Sequence, residues 1–161
     1  MKHFNIERYM SKNPYLANSR MLAKEAYGKM KEKGIRHFPV IEDNDLVGIV
    51  SERDLRQVIR YPDAERVTVW ELMSPKPYVA VKGTPLVKCI KEMREKKYGC
   101  VVVVDETDWI LGIFTTTDAL GLLQELMSGE NEPKQMGFSA IEEYLGRTDY
   151  GTSANEKKIS S

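Results

Sequence analysis

Gly112-Ile113-Phe114-Thr115-Thr116-Thr117-Asp118 is an apolar run closed by a hydroxyl residue, with a carboxylate three positions on. Sixty-four residues earlier, Gly48-Ile49-Val50-Ser51-Glu52-Arg53-Asp54 carries the same glycine, a similar apolar pair and the same hydroxyl-to-aspartate spacing. A chain that repeats such a stretch has to repeat the structure around it, and fixed-period self-similarity is the first thing to look for in a sequence.

The repeat extends well beyond the motif. A shift of 63 sets Met10-Ser11 on Met73-Ser74, Pro14-Tyr15 on Pro77-Tyr78, and Met30-Lys31-Glu32-Lys33 on Met93-Arg94-Glu95-Lys96. The shift becomes 64 past the acidic turn Glu42-Asp43-Asn44-Asp45, because the second copy has one residue more around Asp105-Glu106-Thr107-Asp108.

Each copy shows the same order of periodicities. Ala23, Ala26, Tyr27 and Met30, and then Leu86, Cys89, Ile90 and Met93, follow the i, i+3, i+4, i+7 spacing of a helix with one buried stripe. Phe38 to Ile41 and Val101 to Val104 are short apolar runs that end in an acidic turn and resume as Leu46 to Val50 and Trp109 to Phe114, which predicts two hairpins. After the hydroxyl residue the helical period returns, with Leu55, Val58 and Ile59 in one copy and Ala119, Leu122, Leu123 and Leu126 in the other. Tyr15 to Ala17 and Tyr78 to Val81 read as short strands after a proline, and Met-Ser as a linking turn.

The expected fold class is therefore α+β: two β-α-β-β-α repeats packed sheet to sheet with pseudo-two-fold symmetry, since units of about 60 residues are marginal alone. The first repeat is placed at 5–62, the second at 63–128, and a C-terminal extension at 129–161. In that extension Ser139 to Leu145 suits a short helix and Arg147 to Ser161 a flexible polar tail.

Charge and cysteine usage narrow the functional classes. Lys+Arg and Asp+Glu are both 24, so no net field gathers a polyanion, and nucleic acid is not expected as the main partner. The N-terminus lacks the apolar run of a signal peptide, and no stretch approaches the roughly 18 apolar residues of a membrane span, so a cytoplasmic protein with no membrane partner is expected. Cys89 and Cys100 sit among apolar neighbours with only His3 and His37 for company, which predicts packing roles and no metal site. No paired carboxylates, nucleophile with its base, or phosphate-binding glycine loop stands out, so no catalytic residues are assigned and an enzyme is not expected.

Ser51-x-x-Asp54 and Thr115-x-x-Asp118 have the form of a capping box, in which hydroxyl and carboxylate satisfy each other's backbone N–H. A strand running into a helix N-terminus also suits an anion, and a carboxylate beside it suits the hydroxyls of a ribose. Structural cap and nucleotide contact are both open readings of the residues themselves.

The two copies resemble the tandem cystathionine β-synthase (CBS) domain pair, or Bateman module, over about residues 5 to 128. The likeness is carried by Met10-Ser11, by Gly34 to Ile41, by Leu46 to Leu55, and by the corresponding residues of copy two ending Gly112 to Leu120. It implies a non-catalytic regulatory module that binds an adenosine-containing ligand (AMP, ADP, ATP or S-adenosylmethionine) in clefts between the repeats and passes the ligand state to a regulated protein. No cofactor is required, and Mg²⁺ is possible with ATP.

Carried over residue by residue, the resemblance pairs Thr115, Thr117 and Asp118 with Leu16, Arg36 and His37, and pairs Ser51, Arg53 and Asp54 with Val79, Thr84 and Gly99. On that grouping the Asp118 site has Arg36 and His37 for phosphate, while the other has Gly99 and Cys100, so the Asp118 site is expected to hold phosphate better. Arg53 is a substitute cation for the weaker site or a solvated residue on a first helical turn. The alternative function is an oligomerising interaction scaffold with vestigial clefts. A homodimer is expected, and on the scaffold reading Leu122, Leu123, Leu126 and Met127 are dimer surface as well as core.

Overall fold

The computed structural model describes residues 4–128; the expected short helix and tail of 129–161 lie outside the described residues. Residues Ile6–Arg8 form a single 3-10 turn, followed by strands β1 (Ser11–Lys12) and β2 (Ala17–Asn18), helix α1 (Ala23–Lys33), strands β3 (His37–Glu42) and β4 (Asp45–Ser51), and helix α2 (Glu52–Val58). A 3-10 turn at Pro62–Arg66, helix α3 (Val69–Leu72) and strand β5 (Ser74–Pro75) lead into the second copy. That copy consists of β6 (Val79–Val81), α4 (Leu86–Lys96), β7 (Cys100–Val104), β8 (Ile110–Thr115) and α5 (Thr116–Met127). The β-α-β-β-α order read from the periodicities is present twice.

The chain divides into two compact units whose edges do not follow the repeats. Tyr15–Pro77 forms one, here the Asp54 unit; residues 4–14 together with 78–128 form the other, the Asp118 unit. The Asp54 unit has the sheet order β2-β3-β4-β5 and the Asp118 unit the order β1-β8-β7-β6. Residues 5–14, counted with the first repeat, thus belong to the sheet of the second, and 63–77, counted with the second, complete the first.

Core composition makes the exchange concrete. Ile6, Tyr9 and Met10 are buried with Leu86, Val101, Val103 and Phe114 in the Asp118 unit. Their counterparts Val69, Leu72 and Met73 pack against Ala26, Met30, Phe38 and Val50 in the Asp54 unit. What looked like a linking turn at Met-Ser is a helical turn and an edge strand that each sheet borrows from outside its own repeat.

The glycines of the doubled motif answer to that borrowed strand. β5 lies antiparallel on β4 with Gly48 opposite Pro75, and β1 lies on β8 with Gly112 opposite Lys12. A Cβ on Gly48 would stand 2.5 Å from the Met73 sulfur and 2.9 Å from the Ser74 carbonyl oxygen; on Gly112 it would stand 2.6 Å from the Ser11 carbonyl oxygen and meet the Met10 sulfur as well. Only glycine lets the Met-Ser backbone pass that closely.

The helices bury the predicted stripes: Ala23, Ala26 and Met30 on α1, and Leu86, Cys89 and Met93 on α4. Ile90, expected on the same stripe, is 36% exposed. In the hairpins, Asp43 and Asn44 take φ of 48° and 71°, a two-residue loop between Glu42 and its partner Asp45. The second hairpin needs one residue more. There Asp105 Oδ1 accepts from the backbone N–H groups of Thr107 and Trp109, and Asp108 takes φ of 63°.

Candidate functional site

Each motif sits where a strand turns into a helix. Ser51 is the N-cap of α2 and Thr115 that of α5, both extended, with φ of −106° and −116°. The Ser51 backbone N–H and hydroxyl donate to Asp54 Oδ2 at 2.9 and 2.6 Å, and the Asp54 N–H donates to Ser51 Oγ at 3.2 Å. In the other unit the same three bonds run from Thr115 N–H and hydroxyl to Asp118 Oδ2 at 2.7 and 2.8 Å and from Asp118 N–H to Thr115 Oγ1 at 3.3 Å. The capping reading is therefore fulfilled in both copies. It does not exhaust the carboxylates, because both donors of each cap fall on Oδ2 and neither uses Oδ1.

The strand start beside each cap completes the site. His37 is opposite Ser51 in the β3–β4 pair, and the Glu52 N–H donates to the Arg36 carbonyl at 2.8 Å. Cys100 is opposite Thr115 in the β7–β8 pair, and the Thr116 N–H donates to the Gly99 carbonyl at 3.0 Å. Arg36 therefore corresponds to Gly99, His37 to Cys100 and Arg53 to Thr117.

Arg36 and His37 lie in the same unit as Ser51 and Asp54, and Gly99 lies in the same unit as Thr115. Of the remaining residues, Leu16 is buried just ahead of β2, which runs parallel to β3, so it belongs to the Asp54 unit. Val79 is 38% exposed at the start of β6, parallel to β7, and Thr84 donates its hydroxyl to the Val81 carbonyl at 2.6 Å, both in the Asp118 unit. Arg36, Arg53 and Thr117 are exposed.

Electrostatics separate the two turns. Burial lowers the pKa of His37, with Arg36 acting in the same direction and Asp54 opposing, so the ring is neutral at pH 7. Glu52 is held by Lys31 at 2.8 Å and by Arg56, which bring its carboxyl down to about 2. Burial raises the pKa of Asp118 against the opposing hydrogen bonds from Thr115. Burial likewise pushes the Cys100 thiol up to about 12 and raises Cys89, which marks both as packing residues and not nucleophiles.

Periodicity missed the Tyr78–Tyr98 pair, whose rings stack with centroids 5.3 Å apart next to Val79 and Gly99. The only signal for it in the sequence is the replacement of Ile35 by Tyr98 at the corresponding position. Leu122 is a core residue, whereas Leu123, Leu126 and Met127 are 52%, 57% and 79% exposed. Among the described residues no group of three or more His, Cys, Asp or Glu could hold a metal ion, and no helix is long and apolar enough to cross a membrane.

A family model for the CBS domain matches residues 6–61 and 69–125. Among solved structures, a Vibrio cholerae protein described as an acetoin utilization protein (AcuB) has a TM-score of 0.69 at 28% identity, with 81% of this chain and 98% of that one covered. CBSX2 of Arabidopsis thaliana, solved in complex with AMP, has a TM-score of 0.65 at 25% identity over 77% of this chain and 98% of its own. A curated relative, protein MJ1232 of Methanocaldococcus jannaschii, is 29% identical over 112 residues, 70% of this chain. The chain spans 37% of that relative's length and 17% of the meiotically up-regulated gene 70 protein of Schizosaccharomyces pombe, to which it is 26% identical.

Proposed function

This chain belongs to the CBS domain family, and we propose that it is a non-catalytic regulatory module that binds adenosine-containing ligands at its two capped turns. The observation that carries the reading is the pair of aspartates whose Oδ2 is committed to the cap while Oδ1 takes neither cap bond. An ionised carboxylate oxygen in that position accepts from ribose hydroxyls, and each such charge-assisted bond contributes about 1.5–3 kcal/mol. The AMP in the CBSX2 structure supports the ligand class.

The candidate ligand contacts are Leu16, Arg36, His37, Ser51, Arg53 and Asp54, which lie in one unit, and Val79, Thr84, Gly99, Thr115, Thr117 and Asp118, which lie in the other. A bound ligand alters the chain's state only through unequal affinity for two of its arrangements, and a regulated protein, itself to be identified, reads that shift. ATP with Mg²⁺, ADP and S-adenosylmethionine belong to the same class of candidate.

Isothermal titration of the chain with AMP, ATP with Mg²⁺, and S-adenosylmethionine tests the reading. Saturable heat with at least one is expected; no heat and no thermal protection with any of them refutes it. The interaction-scaffold reading is favoured by the exposed Leu123, Leu126 and Met127 on α5. Light scattering that shows a dimer, together with a silent titration, would select it.

A further inference from the structure

Helix α5 is longer than its own core requires. Its last buried residue is Leu122, yet the helix runs on to Met127, whereas α2 stops at Val58, the residue that corresponds to Leu122. The added length is apolar on the outside. Leu120, Leu123 and Met127 follow the i, i+3, i+7 spacing on the side of α5 turned away from Leu122. They are 66%, 52% and 79% exposed, and Leu126, at 57%, flanks them. In α2 the counterpart of Leu120 is Arg56, which pairs with Glu52. The outer face of α5 is thus an apolar stripe that the packing of its unit does not account for, and a contiguous stripe of this kind marks a contact surface.

The nearest candidate to cover it is the chain itself. α5 ends at Ser128, and residues 129–161 follow directly from the stripe. In their sequence Phe138, Ile141 and Leu145 repeat the spacing of Leu120, Leu123 and Met127. Ser139 with Glu142 three positions on has the form of a capping box, and Gly146 is a helix stop signal. The connection from Gly129 to Gly137 contains Pro133, which does not continue a helix. Fully extended, a connection of that length reaches about 30 Å. The stripe from Leu120 to Met127 is about 10 Å long, so the chain has ample slack to turn back along α5.

Tethering decides between this segment and a second copy. A short flexible linker holds its segment at an effective concentration on the order of 1 mM. For equal contacts, a second copy at about 1 µM competes at a disadvantage of roughly a thousandfold.

We propose that Phe138 to Leu145 docks on the outer face of α5, antiparallel to it, with Phe138 near Met127, Ile141 near Leu123 and Leu145 near Leu120, and so keeps that face from other copies of the chain. The inference is independent of what binds at the capped turns.

Hydrogen exchange read by mass spectrometry on the full chain tests it, beside two double variants: Ile141→Asp with Leu145→Asp, and Leu123→Asp with Met127→Asp. Leu123 and Met127 are exposed, so circular dichroism and the protection of β7 and β8 are expected to be unchanged. In the unaltered chain the amides of 140–145 are expected to exchange at least tenfold more slowly than in either variant, at a rate independent of chain concentration. Ile141→Asp with Leu145→Asp is also expected to raise self-association in light scattering, because it bares the stripe. Exchange of 140–145 at the same rate in all three chains overturns the proposal. Protection that disappears on dilution, together with a dimer by light scattering, overturns it as well and assigns the face to a second copy.

Discussion

The Ser51 and Thr115 turns make the same three cap bonds, yet one lies among Arg36, His37 and Arg53 and the other among Gly99, Cys100 and Thr117. Hydrogen bonding that a helix start must satisfy is kept in both copies, because an orphaned amide costs stability wherever it occurs. Side chains that no cap needs are free to differ, and those set the charge. A shared motif reports shared folding, and the side chains around it differ from one copy to the other.

The comparison can be broken first at the glycines. Gly48→Ala and Gly112→Ala are each expected to cost about 1–3 kcal/mol in urea denaturation, since backbone and methionine sulfur fill the Cβ position in both. Gly28→Ala, with open space around it in the middle of α1, is expected to stabilise by up to about 1 kcal/mol. Equal losses at Gly48 and Gly112 would confirm that the borrowed strands are equivalent; a silent Gly112→Ala would deny it.

Removing the carboxylates sharpens the comparison next. Asp54→Ala and Asp118→Ala each delete one cap, with a loss of about 1 kcal/mol expected in stability. Each is expected to weaken ligand at its own turn by about 10–100-fold, the size of one charge-assisted hydrogen bond. Equal weakening of every ligand by both variants would show that the turns do not act separately.

A smaller difference sits at the helix ends. α1 closes on Gly34 at φ 64°, and α4 closes on Lys97 at φ 61°, where a side chain is strained. Lys97→Gly is expected to stabilise by about 0.5–1 kcal/mol, read as a raised Tm.

The pH response is the smallest effect, and it has opposite signs in the two units. The folded-state pKa of His37 lies below its unfolded value, so the native state binds fewer protons; its contribution is fully present above about pH 6.5 and is lost as pH falls through the folded pKa. Asp118 titrates above its unfolded value, so there the native state binds more protons and stability declines as pH rises just above about 4. His37→Gln should flatten the first limb and Asp118→Asn the second, measured as unfolding free energy against pH. Unchanged limbs would mean that these groups do not titrate differently on folding.

Much of this was legible in the residues. The doubled spacing of hydroxyl and aspartate, the 3.6-residue stripes and the extra residue at Asp105–Asp108 located both hairpins and both caps. The borrowed strands were not legible, because Ser11–Lys12 and Ser74–Pro75 are too short to carry a periodicity, and the partner of Ser11–Lys12 lies on the far side of the intervening repeat. The pairing of His37 with Ser51 and of Cys100 with Thr115 is a matter of register, which composition does not carry.

The placement of Ser11 opposite Ile113 carries a consequence for how the protein is made. Synthesis runs from the N-terminus, so Ile6, Tyr9 and Met10 emerge about a hundred residues before the strand they must cover, and closing so long a loop is slow. The Tyr15–Pro77 segment meets no such delay, since its sheet and its borrowed strand β5 are complete within it. Residues 5–14 are therefore made before the Tyr15–Pro77 segment and find their places after it. A deletion of residues 5–14 would strike the unit built around residues 78–128 and leave the Tyr15–Pro77 unit whole.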